Sequence, residues 1–327
     1  MAFDIGVNIW AIIGFSLAAY SVVANDALQT LGAFINSNRK LPWWALFLYA
    51  GTILCVVFYI GWLKFDGDPS WGRLSNTQKF PLFEVEWFHV LPPIALVIVT
   101  RFGLPVSTGF MILSIFASTA GIESMIAKSL TAYGFAFALG LGLYVVLAPT
   151  VERHFMKTPE AAQKPFWIML QWLATGYLWS MWLIQDFSHI FVFMPRHLSE
   201  TQALTGAGII LAFLLLTFLD RGGPVQKILA SKTSITDIRS ATIMDFTYAS
   251  VLAFFAQLNS TPMSTTWAFL GLIAGRELAI ATIDKVRSPG ATLLIVTRDA
   301  MKALIGLVIS IFLALSLPWL AATMAAQ

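Results

Sequence analysis

Apolar and polar positions fall in long blocks along this chain. Apolar runs cover approximately 8–24, 43–63, 87–101, 104–120, 131–150, 166–185, 204–220, 241–258, 261–275 and 291–322. A helix crossing a bilayer needs about 20 predominantly apolar residues, so the pattern predicts an all-α integral membrane protein. Arg298, Asp299 and Lys302 interrupt the last run, which reads as a short piece followed by a span. The first run is flanked by Asp4 instead of Lys or Arg, with no clean small-residue cleavage site after it. It therefore reads as a retained helix and not as a signal peptide. The polar connections are short, at 36–40, 64–79, 151–164, 196–202, 220–239 and 284–289. None is long enough for a soluble domain, so any chemistry is expected within one membrane-embedded unit.

Composition sharpens the class. The 327 residues are 58% hydrophobic and 11% charged, with a mean hydropathy of +0.77. Soluble domains average about 45–50% apolar and about 25% charged residues. Twelve Trp fit an interfacial aromatic belt. The net charge is only +3, spread over many loops without a dense basic tract. The pI near 9.0 thus reflects membrane-flanking charges and gives no sign of a nucleic-acid partner. The lone Cys55 excludes an intramolecular disulfide and a cysteine metal cluster; a lipid- or core-facing thiol is expected.

An internal repeat runs through the chain. "GLPVSTGFMILSIFASTAGIESMIA" (103–127) matches "STPMSTTWAFLGLIAGRELAIA" (260–281): each carries P-x-S-T and ends in G-x-E-x-x-I-A. "FDGDPSWGRLS" resembles "LDRGGPVQKIL", and "VVANDALQTLGAFIN" aligns with "WLIQDFSHIFVFMPR". The four markers keep their order at separations of 154 to 160 residues. Two halves, 1–150 and 151–327, are the expected division. Duplicated halves of this kind are common in transporters.

The repeat singles out the residues that could carry chemistry. Asp26 and Asp186 recur as acids at equivalent places. A carboxylate at membrane depth costs about 2.5–3.5 kcal/mol on insertion scales and usually faces a polar cavity on an ion or substrate path. The competing reading is interfacial, with Asp26 capping a helix that begins at Ala27. The adjacent Asn25 and Gln185 add amide oxygens, and carboxylate plus amide oxygen suits a hard cation such as sodium. Ser107 and Thr108, and Ser264, Thr265 and Thr266, follow the two prolines. There a helix starting inside the membrane would turn free N–H groups and its positive dipole end toward an anion. Alternatively these hydroxyls satisfy their own helices at a kink. His189 lies three residues after Asp186, on the same face of a helix, with a structural role equally open. Glu123 and Glu277 read as structural ion-pair partners of Lys128 or a loop Arg, and Glu86 and Asp245 as interfacial. No nucleophile–base triad, metal-ligand cluster or nucleotide-type glycine loop is present. That argues against an enzyme and against any organic cofactor or metal beyond sodium.

These motifs resemble a known family. "ANDALQTLG" resembles the "GANDxANxxGT" signature of inorganic phosphate transporters of the PiT (Pho4) type, and "GLPVST" and "TPMSTT" resemble that family's "GLPVSTTH". Order and spacing agree over nearly the whole chain. The resemblance implies an inverted repeat with re-entrant hairpins bearing the Ser-Thr pairs, a homodimer, and cation-coupled uptake of phosphate or sulfate. It implies coupling through Asn25, Asp26, Gln185 and Asp186, and an anion near Ser107, Thr108, Ser264, Thr265 and Thr266; Gln29, Thr30 and His189 are the accessory candidates read from this sequence itself. The chain departs from the family in four places. Gln29 or Thr30 stands for the second Asn, and Gln185-Asp186 for Asn-Asp. "HIFVF" replaces small residues, and the family His is absent after both Ser-Thr pairs. The leading expectation is a symporter of an inorganic oxyanion, phosphate coupled to sodium, in the plasma (inner) membrane of a bacterium. A sulfate permease and a proton-coupled phosphate carrier are the alternatives within that class, and a non-transporting intramembrane scaffold is the alternative outside it.

Overall fold

The computed structural model describes residues 8–23, 27–38, 40–101, 106–219, 237–284 and 288–325. Among them every regular element is helical: α1 (Ile9–Ser21), α2 (Ala27–Ser37), α3 (Trp43–Lys64), α4 (Leu91–Arg101), α5 (Thr108–Leu113), α6 (Thr119–Leu147), α7 (Arg153–Lys157), α8 (Pro165–Phe191), α9 (Glu200–Leu219), α10 (Ile238–Leu258), α11 (Thr265–Asp284) and α12 (Pro289–Ala325). Six stretches among the described residues are long and apolar enough to cross a bilayer: Trp43–Lys64, Thr119–Lys157, Glu200–Leu219, Ile238–Leu258, Thr265–Ile283 and Gly290–Met324. The chain is an all-α integral membrane protein.

Local chemistry sets the helix starts. The Asn8 side chain accepts the Ala11 N–H at 2.9 Å and opens α1, while its Nδ2 donates to the Val85 carbonyl at 2.8 Å. Ser118 accepts from the Gly121 N–H at 3.2 Å and opens α6. Pro165 and Pro289 occupy the first positions of α8 and α12, where the missing N–H costs nothing.

Three boundaries differ from those read off the apolar runs. The run 104–120 is not one span: α5 is followed by a 3₁₀ turn, Ser114–Phe116, and the chain breaks at Ala117–Ser118 before α6 begins. The run 291–322 is not broken at its charges, because α12 continues unbroken through Arg298, Asp299 and Lys302. At 1.5 Å per residue its 37 residues extend about 55 Å, well beyond a hydrocarbon core of about 30 Å. The helix is therefore longer than one crossing requires, and its three charges lie in its N-terminal half. Finally, α8 does not end at 185 but carries Gln185 and Asp186 inside it and runs on to Phe191.

α8 is the hub of the core, packing against α10, α3, α2, α1 and α5. Its Trp179 and Trp182 stack at 5.0 Å, and its Phe191 meets Phe15 of α1 edge-on at 5.2 Å. The most extensive interface lies between α6 and α11. There Gly271 and Gly275 bring one helix backbone against the other. A Cβ at Gly271 would strike the carbonyl of Tyr133, and one at Gly275 that of Phe137. Small residues four apart permit this approach in membranes, where dispersion and not water exclusion holds helices together. Gly275→Leu is expected to lower the thermal unfolding midpoint in detergent, a destabilisation of about 1–3 kcal/mol or more. Gly142→Leu on the open face of α6, with nothing within 4 Å of its Cβ position, should leave the midpoint unchanged.

Candidate functional site

The last turns of α8, "LIQDFSHIF", combine a fully apolar face with an equally buried polar one. Leu183, Phe187, Ile190 and Phe191 join the core, while Gln185, Asp186, Ser188 and His189 are at 0% exposure. Buried polar groups must be bonded, and their partners come from across the molecule. Asp186 and His189 share a face, with Nδ1 3.7 Å from Oδ1. Asp186 Oδ2 accepts the Thr265 hydroxyl at 3.2 Å. His189 Nδ1 lies 3.4 Å from Thr108 Oγ1. A line of four side chains, Thr108–His189–Asp186–Thr265, therefore joins the two Ser-Thr segments through α8. Gln185 Nε2 donates to the Leu252 carbonyl of α10 at 3.2 Å. Its Oε1 is left buried without a partner among the described residues, as are His189 Nε2 and Trp267 Nε1.

The two Ser-Thr tips are built alike. Ser107 caps α5, its Oγ accepting the Phe110 N–H at 3.2 Å, and Ser264 caps α11, accepting the Trp267 N–H at 3.1 Å. Phe110 and Trp267, each three residues past its serine, meet edge to face with ring centroids 5.7 Å apart. The second tip is clamped further: the Ser264 N–H donates to Ser129 Oγ at 2.9 Å, and the Tyr248 hydroxyl donates to the Thr265 carbonyl at 2.9 Å. Thr266 is buried beside them at 2% exposure. The tips are not equal in dipole. α11 runs 20 residues behind its cap, whereas α5 runs six before its 3₁₀ turn, so helix-start charge is concentrated at Ser264–Thr266.

Gly109 explains how His189 fits. A Cβ there would sit 2.8 Å from His189 Nε2, so the residue after the first Ser-Thr pair has to be small for the ring to reach Thr108.

The remaining expected positions divide. Asn25, Asp26 and the Gln29 side chain lie outside the described residues; Thr30 is fully buried on α2, which packs on α8. Glu123 is exposed and does not pair with Lys128, whose Nζ donates instead to the carbonyls of Asn259 at 3.0 Å and Thr261 at 2.7 Å. Glu277 pairs with its neighbour Arg276 at 2.6 Å. Asp245 is enclosed within the fold. It is 7% exposed between α10 and α8, accepting the Thr175 hydroxyl at 2.7 Å. Sequence reasoning missed Arg73, which reaches the carbonyl of Ile184, next to Gln185-Asp186, at 2.6 Å. Its signal was an arginine inside the Gly- and Pro-containing turn "DGDPSWGR", recorded only as a repeat marker.

Comparison with known proteins adds one finding. A solved structure described as "The sodium-dependent phosphate transporter" superposes with a TM-score of 0.65, covering 96% of this chain and 98% of its own. The fold is shared with a transporter. Sequence identity is 14%, so the likeness carries the architecture alone. No family model matches the sequence, and no curated protein matches it either. Among the described residues no group of three His, Cys, Asp or Glu could hold a metal ion.

Gly109→Val is expected to push His189 off Thr108, destabilising the fold by about 1–3 kcal/mol, visible as a lower unfolding midpoint. Pairing it with His189→Ala, which vacates the space the valine would take, should recover part of that loss if the clash is the cause.

Proposed function

We propose that this protein is a secondary transporter that moves an inorganic oxyanion, phosphate foremost, in symport with sodium. The observation that carries the reading is the buried line Thr108–His189–Asp186–Thr265, which ties both Ser-Thr tips to one intramembrane carboxylate. The shared fold supports it. In this reading Asp186 and the unbonded Gln185 Oε1 supply oxygen ligands for the cation, together with Asn25 and Asp26 from the first half. The hydroxyls of Ser107, Thr108, Ser264, Thr265 and Thr266 supply donors for the anion. Cation and anion would thus share Thr265, whose hydroxyl is bonded to the carboxylate. Neutralising Asp186 with a cation would release that hydroxyl toward the anion, which is a direct physical route to coupling.

The halves 1–150 and 151–327 act in this reading as an inverted repeat, supported by the matching serine caps and the contact between Phe110 and Trp267. The working unit is taken to be a homodimer in the plasma (inner) membrane of a bacterium, and sulfate is the second candidate anion. Proton coupling is the second reading for the driving ion, favoured by the imidazole of His189 3.7 Å from Asp186.

The test is uptake of labelled phosphate and sulfate into proteoliposomes, with and without a sodium gradient. Sodium-driven phosphate uptake is expected in the wild type, abolished in Asp186→Asn with the unfolding midpoint retained. Uptake that follows a pH gradient in the absence of sodium selects the proton reading. Failure of the wild type to carry any oxyanion would leave a non-transporting scaffold as the function.

A further inference from the structure

The two tips offer an anion hydroxyl and amide donors, all neutral, and the formal charge they touch has the wrong sign, because Thr265 is bonded to Asp186. One sodium ion would offset one carboxylate. An oxyanion at neutral pH still needs positive charge from elsewhere, and burying it unpaired would be expensive.

Arg73 answers that need. It sits at 3% exposure in the first half of the connection between α3 and α4, whose backbone is held in unusual shape there. Asp66, Gly67, Trp71 and Gly72 all have positive φ, from 52° to 90°, a region that Trp rarely enters. Asp68 fixes the turn by accepting the N–H groups of Ser70 at 2.8 Å and Gly72 at 3.1 Å. The turn delivers the Arg73 guanidinium to α8, where Nε donates to the Ile184 carbonyl at 2.6 Å. Nη1 is buried with no partner among the described residues. No carboxylate among them lies within 4 Å of the guanidinium. Burial lowers its pKa to about 10 and the Asp186 carboxylate opposes that fall, so the group remains a cation at neutral pH. A buried, charged fork with an unused N–H matches the oxygens of a tetrahedral oxyanion. Two further cations stand just before the second tip. Lys128 Nζ holds the Thr261 carbonyl and Lys79 Nζ lies 3.2 Å from the Thr261 hydroxyl, three residues before Ser264.

We infer that Arg73, backed by Lys79 and Lys128, is the positive arm of a tetrahedral-oxyanion site completed by the Ser264–Thr266 tip. The inference rests on the transport reading but names a residue and a connection outside both Ser-Thr motifs.

The experiment measures binding of radiolabelled inorganic phosphate to purified, detergent-solubilised protein by scintillation proximity, beside the uptake assay. Arg73→Gln should weaken phosphate binding about tenfold to a hundredfold, the range for losing a hydrogen bond to a charged group. Arg73→Lys should recover part of the loss because it keeps the charge. Lys79→Gln, at a half-buried position, should weaken binding less and keeps the test open if Arg73→Gln does not fold. Unchanged binding in Arg73→Gln, or in Lys79→Gln where only that variant folds, overturns the inference. If wild-type uptake is intact in that case, the transport reading survives. Equal losses in Arg73→Gln and Arg73→Lys, matched by equal falls in unfolding midpoint, make the arginine a prop for Ile184 and also overturn it. A wild type that neither binds nor carries phosphate or sulfate overturns both ideas together.

Discussion

Asp186 lies at zero exposure inside a continuous helix, and a carboxylate there persists only where other groups converge on it. The convergence organises the molecule. Thr265 comes from the start of α11, His189 from the next turn of α8, and Thr108 from the start of α5 through the histidine. Each partner demands something of its own surroundings. Thr265 is positioned because Ser264 is bonded to Ser129 and Tyr248 holds the following carbonyl. His189 reaches Thr108 because Gly109 has no side chain. Replacing any one of these changes the environment of the same carboxylate, so the site behaves as a unit and its substitutions will not be additive.

Around that centre the scaffold is rigid where it must be. α6 and α11 meet backbone to backbone through Gly271 and Gly275, and α6 also supplies Ser129 and Lys128 to the second tip. The second tip is thereby fixed to a two-helix block, while the first is carried by six residues and a 3₁₀ turn before the chain breaks at Ala117–Ser118. The same serine cap therefore sits on two very different supports.

Much of this was legible in the sequence. The apolar runs gave the class and most of the helices, and the doubled P-x-S-T and the second acidic marker pointed to segments that do meet in space through Asp186. The boundaries that went unread share one cause. Apolar runs end where polar residues begin, but a helix satisfies its own backbone, so α8 continued through Gln185-Asp186 and α12 through Arg298-Asp299-Lys302. Asp245 and Lys128 were misjudged because the groups that satisfy them, Thr175 and the carbonyls of Asn259 and Thr261, lie 70 to 133 positions away. Arg73 was hidden for the same reason: its partner is the carbonyl of Ile184, 111 residues on, and carbonyl partners leave no trace in residue identity.

The burial of the tips has a kinetic meaning. Ser107, Thr108, Ser264, Thr265, Thr266 and Asp186 are all at or below 3% exposure, and Phe110 against Trp267 closes the space between the two helix starts. In the proposed transport reading this is an occluded conformation. In that reading an ion arriving from either side would meet these groups only in the fraction of molecules whose tips have parted, and its measured affinity would be the intrinsic one diminished by that fraction. The edge-to-face aromatic pair would then work as a latch whose strength trades affinity against leak. Loosening it would raise the open fraction, and with it apparent affinity, while giving up the seal that keeps the two faces of the membrane apart.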